Sequence, residues 1–327
     1  MNVVEAILHA VQTWFAARNQ AWVSLDKDSN LLRNAPVATE LGRKAWQEVR
    51  RMRSATLHDG MRLARAHTCV AVLDVQFKEN RRLAKVLANE LVYLTKVSTP
   101  AMTVEARQLE HEMTWQRNHQ HWQLKEDHLL GLQEDCKMNN RIIKPAVHCV
   151  SMRDDIVNIR QWYTGKQMGY SRLLAVRYAD LWWQKQNPLY AQYENDSANY
   201  VSQCLFAAGL GMSEKNSHGW WMDTARQEYA PAWTMPHLLY HSLLSRKNVI
   251  RLEKSRQCIV GDLVFYDWHG NHRPSHVAIV TDFDHQGRPL VNSHSMHVQY
   301  RPYRYLDSPI YSDRVQYLFL RIPDGTV

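Results

Sequence analysis

The segment Asn195-Asp196-Ser197-Ala198-Asn199-Tyr200-Val201-Ser202-Gln203 places a hydroxyl where a helix begins. Asn195 or Asp196 offers a short side-chain acceptor for the free backbone N–H groups of a first turn. Tyr200, Val201, Cys204, Leu205 and Ala208 follow at helical spacing, which predicts an apolar face. Gly209 and Gly211 can end the run, because glycine tolerates the left-handed turn there. Ser197 then falls in the first turn, where unpaired N–H donors and partial positive charge favour an anion. A cysteine in that place ionises more easily. The same donors can hold the oxyanion formed when an acyl group is attacked.

A base and its support come from a second region. Gly261 to Trp268 predicts a strand entered through a glycine turn, and Ser275 to Val280 predicts an apolar strand with His276 at its mouth. The turn Asp284-His285-Gln286-Gly287-Arg288 leads into a further strand, Pro289 to His294. Two strands joined by a turn bring Asn292 or His294 near His276. A nucleophile, a base and a polar group that holds the base make up the general triad arrangement.

These stretches, with Tyr170 to Trp183 and Asn187 to Tyr193, resemble the putative amidase domain family of the NlpC/P60 and CHAP superfamily, the papain-like cysteine hydrolases. The resemblance covers about the last half of the chain, and order, spacing and local structure agree together. The family usually carries Asp-Cys-Thr-Asn-Phe or Asp-Cys-Ala-Asn-Phe where this chain has Asp196-Ser197-Ala198-Asn199-Tyr200. It implies amide or peptide hydrolysis through an acyl-enzyme. Ser197 would stand in the nucleophile position, His276 in the base position, and Asn292 in the third position with His294 as its alternative. Asp196 would cap the helix, and Asn199 would brace its first turn. Tyr190 or Tyr193 is a further oxyanion candidate, as a tyrosine is in related hydrolases. The substrates implied are peptidoglycan stem peptides or another peptide.

Serine departs from that pattern. A hydroxyl has a far higher pKa than a thiol, so His276 would have to remove its proton during attack. Two readings follow. The serine replaces the catalytic cysteine and silences an enzyme, or the protein is a silent module that binds peptides or wall fragments without cutting them. The otherwise intact site favours the first.

At 327 residues the chain has room for two cores. An apolar share of 45% and a charged share of 22% are ordinary for a soluble globular protein. The net charge of +8 is spread along the chain, and no nucleic-acid-binding motif accompanies it. Five widely spaced cysteines form neither a disulfide framework nor a zinc pair. Cys204, on the same predicted helix as Ser197, reads as a buried core thiol. His237 and His241 have the spacing of a zinc helix but lack the glutamate beside the first histidine, so no metal or cofactor is expected. Reduced thiols and a start without a basic leader point to the cytoplasm. No membrane partner is expected, because nowhere do about 18 apolar residues run together. A homodimer stays open.

The elements that would position the site divide the chain into three. Residues 3–23 and 40–54 show helical periodicity. Strand patterns follow at 68–77, 83–97, 103–116 and 121–127. Helices followed by long antiparallel strands give an α+β domain over 1–130 that resembles the NTF2-like fold. Residues 131–168 are expected to form a linker, with a helix at 154–162. Residues 169–327 would form the papain-like amidase domain, also α+β: a nucleophile helix packed on an antiparallel sheet. Within it Trp220, Trp221 and Trp233 are expected either to wall a substrate groove or to fill the core.

Overall fold

The computed structural model describes residues 2–24, 32, 35–98, 101–118, 121–130, 142–144, 169–216, 219–223, 226 and 228–327. They fall into two compact units, Met1–Leu132 with Tyr305–Pro309, and Gln133–Arg304 with Ile310–Val327. Most of the expected linker, with its helix at 154–162, lies outside the described residues.

In the first unit α1 (Val3–Val23) opens with a capping box in which Asn2 and Glu5 bond reciprocally. Its buried stripe of Ile7, Val11, Trp14 and Phe15 joins Val49 and Met52 of α2 (Thr39–His58) in one core. Four antiparallel strands complete the unit: β1 (Arg62–Lys78), β2 (Leu83–Ser98), β3 (Ala101–Asn118) and β4 (His121–Leu130), in that spatial order. Alternate residues of β2, from Ala84 through Ala88 to Leu94, are buried, as period-two strands dictate. The α+β order expected for this half is the order observed.

That core also encloses charge. Arg18 of α1 pairs with Glu90 on β2. His111 on β3 donates from Nε2 to Glu90 (3.1 Å) and from Nδ1 to Asp127 on β4 (2.8 Å). Burial opposes the charged ring, but the two carboxylates outweigh it and raise the His111 pKa to about 9. A folded-state value above the unfolded one means stability that is complete below pH about 6.5 and lost as pH rises through about 9. On the order of 3 kcal/mol should therefore disappear across that window. Denaturant titrations at pH 6 and pH 10 are the check, and the pH dependence should shrink in His111→Gln. An unchanged dependence in that variant would show that the charge resides elsewhere.

The second unit is built on a six-stranded antiparallel sheet in the order β13-β12-β11-β10-β14-β9. Its strands are β9 (Ile250–Leu252), β10 (Leu263–Asp267), β11 (His276–Phe283), β12 (Pro289–Ser293), β13 (Val298–Pro302) and β14 (Gln316–Arg321). Two small ribbons flank it, β5 (Ile142–Lys144) with β6 (Gln192–Tyr193) and β7 (Met222–Asp223) with β8 (Glu228–Tyr229). A short strand thus stands inside the expected linker.

The helices α3 (Arg172–Trp182) and α4 (Ser197–Ala207) pack on one face of the sheet. Ala175, Tyr178, Val201 and Leu205 meet Leu263, Phe265, Val277 and Ile279 there. Full burial of such side chains contributes about 1.5–3 kcal/mol each. Gly209, at φ 95°, ends α4 as its sequence foretells, and Leu210 N donates to Leu205 O at 3.1 Å. Gly261 has φ +91°, and a Cβ there would meet Arg172 Cβ at 2.6 Å, so only glycine fits the turn into β10.

Candidate active site

α4 begins at Ser197, in line with its apolar spacing. Ser197 is fully buried, and its Oγ has no hydrogen-bond partner among the described residues. It therefore makes no hydrogen bond to His276. An unpaired buried hydroxyl costs about 1–3 kcal/mol.

Asp196 is the N-cap by position, but its side chain does not cap the helix. Asp196 Oδ1 accepts instead from Tyr193 N (3.3 Å) and from Asn199 Nδ2 (2.8 Å). Its Oδ2 accepts from His294 Nδ1 at 2.7 Å. Asn199 Nδ2 also donates to Ala191 O (2.9 Å), and its Oδ1 accepts from Trp233 Nε1 (2.9 Å). These bonds tie the first turn of α4 to the chain before it and to the tryptophan core.

His276 opens β11 opposite Tyr266. Its ring lies against those of Tyr266 (centroids 5.2 Å apart) and Trp268 (6.2 Å). Burial, with the cation of Arg301 on β13 as a lesser cause, pushes the imidazole down to about 3. It is thus neutral across the ordinary pH range.

The third position departs from the expectation. Asn292 Oδ1 accepts from Thr281 Oγ1 (2.9 Å) and Tyr300 N (3.0 Å), and Nδ2 donates to Asp180 on α3 (2.9 Å). None of these bonds reaches His276. His294 is buried, stacked 4.0 Å from the Tyr200 ring, and bonded through Nε2 to Trp182 O (2.8 Å). The side chain that meets His276 Nε2 is Ser293, at 3.1 Å. Strand alternation explains this. Asn292 on β12 and His294 just past it reach α3 and the start of α4, while Ser293 points to the other face. Past the strand, Ser295 and His297 adopt left-handed φ of 79° and 39°, and Ser295 Oγ donates to Asn195 Oδ1 at 3.3 Å. The turn is thereby bonded to the residue before the cap.

Trp220 and Trp233 are buried and stacked with centroids 5.0 Å apart, so they are core residues and not groove walls. Trp221 is half-buried beside Lys215. Tyr190 stacks on Trp233, and Tyr193 meets Tyr229 edge-on. Burial raises the Tyr193 hydroxyl pKa, which leaves it a neutral donor. Cys204 is fully buried, and desolvation holds its thiol protonated. His237 Nε2 lies 3.2 Å from the Arg273 guanidinium, and no helix among the described residues is long and apolar enough to cross a membrane.

Residues 169–319 match the putative amidase domain family. The match supports an amide hydrolase at the level of reaction class. The uncharacterized protein YhbB of Bacillus subtilis (strain 168) is 34% identical over 167 residues, which cover 50% of this chain and 53% of that protein. This chain therefore spans about half of that relative. The intermembrane space region of chloroplast protein ARC6 aligns with 39% of this chain and 96% of its own at 13% identity, with a TM-score of 0.31 that assigns no fold.

Proposed function

We propose that the second unit is an amide or peptide bond hydrolase of the cysteine–histidine type, with serine in the nucleophile position. The observation that carries this reading is Ser197 Oγ. It is a buried hydroxyl with no hydrogen-bond partner among the described residues, at the N-terminus of α4 and inside the region similar to amidases. A thiol donates and accepts only weakly and behaves much like a small apolar group, so this environment suits sulfur better than oxygen. In the cysteine form the thiolate would attack the amide carbonyl, and backbone N–H groups of the first turn would hold the oxyanion. His276 would carry the nucleophile's proton to the leaving amine. Peptidoglycan stem peptides or another peptide are the substrates implied by the resemblance of the site segments.

The experiment is hydrolysis of muropeptides and of a peptide-amide library by Ser197→Cys, with the thiol alkylated as one control and His276→Ala as the other. Cleavage abolished by both controls is expected. An inert, folded cysteine form would end the enzyme reading. The missing bond between Ser197 Oγ and His276 favours a second reading, a silent module that binds such peptides. It requires that the serine form retain a muropeptide unaltered after long incubation.

A further inference from the structure

We propose that Ser293 is the positioning residue for His276, its hydroxyl accepting from Nε2–H so that the basic lone pair resides on Nδ1. This rests on the hydrolase reading above for its consequence, though not for its geometry. Ser293 Oγ lies 3.1 Å from His276 Nε2, 3.1 Å from Val277 O and 2.9 Å from His294 O. A hydroxyl has one proton and two lone pairs. The two carbonyl oxygens can only accept, and both compete for that single proton. Toward the imidazole, Oγ is left as an acceptor. The ring must then donate from Nε2, and a neutral imidazole that donates there holds its lone pair at Nδ1.

Nothing else on β12 fills this place. Both ends of the Asn292 amide are engaged with Thr281, Tyr300 and Asp180. Both nitrogens of His294 are engaged with Asp196 and Trp182. Ser293 is 1% exposed, so water does not compete for its hydroxyl. Neutrality of the His276 ring makes the tautomer meaningful at ordinary pH. In catalysis the tautomer decides which nitrogen takes the proton from position 197, and a wrong tautomer disables a well-placed base.

Long-range proton–nitrogen NMR of the histidine rings reads this directly. In the chain with Ser197 at pH 7, His276 should show a protonated Nε2 and an unprotonated Nδ1. Ser293→Ala should give a mixture of tautomers, and Ser293→Thr should restore the single form. Asn292→Ala should leave the His276 pattern unchanged. Should Ser293→Ala fail to fold by circular dichroism, Ser293→Cys, a weaker acceptor, takes its place in the same measurement. In the Ser197→Cys background, Ser293→Ala should lower kcat about 10- to 100-fold with little change in KM, and Ser293→Thr should recover most of the loss. An unchanged His276 pattern in Ser293→Ala, or a shifted one in Asn292→Ala, overturns the proposal. If Ser197→Cys is inert while the tautomer follows Ser293, the hydrolase reading fails and the positioning stands.

Discussion

Replacing Ser197 with cysteine should raise amide hydrolysis by at least about 10³-fold over the serine form, the scale on which enzymes lose rate when a triad nucleophile is removed. The physical reason is protonation. At the first turn of α4, N–H donors and the helix dipole lower a thiol's pKa into a useful range, but a hydroxyl remains far above it. His276 cannot make up the difference through a hydrogen bond that Ser197 does not form. The same substitution should also stabilise the unit by about 1 kcal/mol, because a thiol left without a partner costs less than a hydroxyl. That corresponds to about 2–4 °C in Tm. The two readouts are independent. Higher Tm without activity would mean that the buried hydroxyl is a misfit in a silent module. Activity without a Tm gain would mean that the hydroxyl finds water in solution.

Much of this was legible in the residues. α1 announces itself through Val4, Ile7, Val11 and Phe15 and closes within the expected bounds. β2 alternates along its length, and β2 and β3 extend only a residue or two beyond the bounds expected. The extent of α4 was legible because an apolar stripe and a terminal glycine agree. What escaped was the direction of polar side chains. Three consecutive polar residues, Asn292, Ser293 and His294, close β12, and resemblance favoured the first. Period-two alternation carries the missing signal: the side chain that shares a strand face with His276 cannot be adjacent in sequence to one that shares it too. Asp196 escaped for another reason. Its type and position foretell a cap, but a histidine 98 residues away takes its free oxygen. No local pattern reveals a partner at that separation. Trp220 was open between groove and core because aromatic residues serve in both, and only packing decides.

Asp196→Ala should lower the stability of the second unit by about 3–5 kcal/mol, because several buried donors lose their acceptor at once. Asp196 is 3% exposed and accepts from Tyr193 N, Asn199 Nδ2 and His294 Nδ1. His294 Nε2 also lies 2.8 Å from Trp182 O, so both ring nitrogens face acceptors. Removing the carboxylate would leave a buried ring nitrogen, an amide donor and a backbone N–H without the acceptor they share. The cost of such orphaned groups exceeds what any added apolar contact returns. At 2–4 °C per kcal/mol, a Tm fall of roughly 10 °C is expected in calorimetry. Asp196→Asn, which keeps an acceptor oxygen but no charge, should fall between. The double variant Asp196→Ala with His294→Ala should be much less destabilised than the sum of the two single changes, because neither orphan remains. Additivity would show that the two residues do not act as a pair. If Asp196→Ala melts within about 2 °C of the parent, less than 1 kcal/mol by the same scaling, α4 is held in place by its apolar face alone. The nucleophile position would then owe nothing to β12.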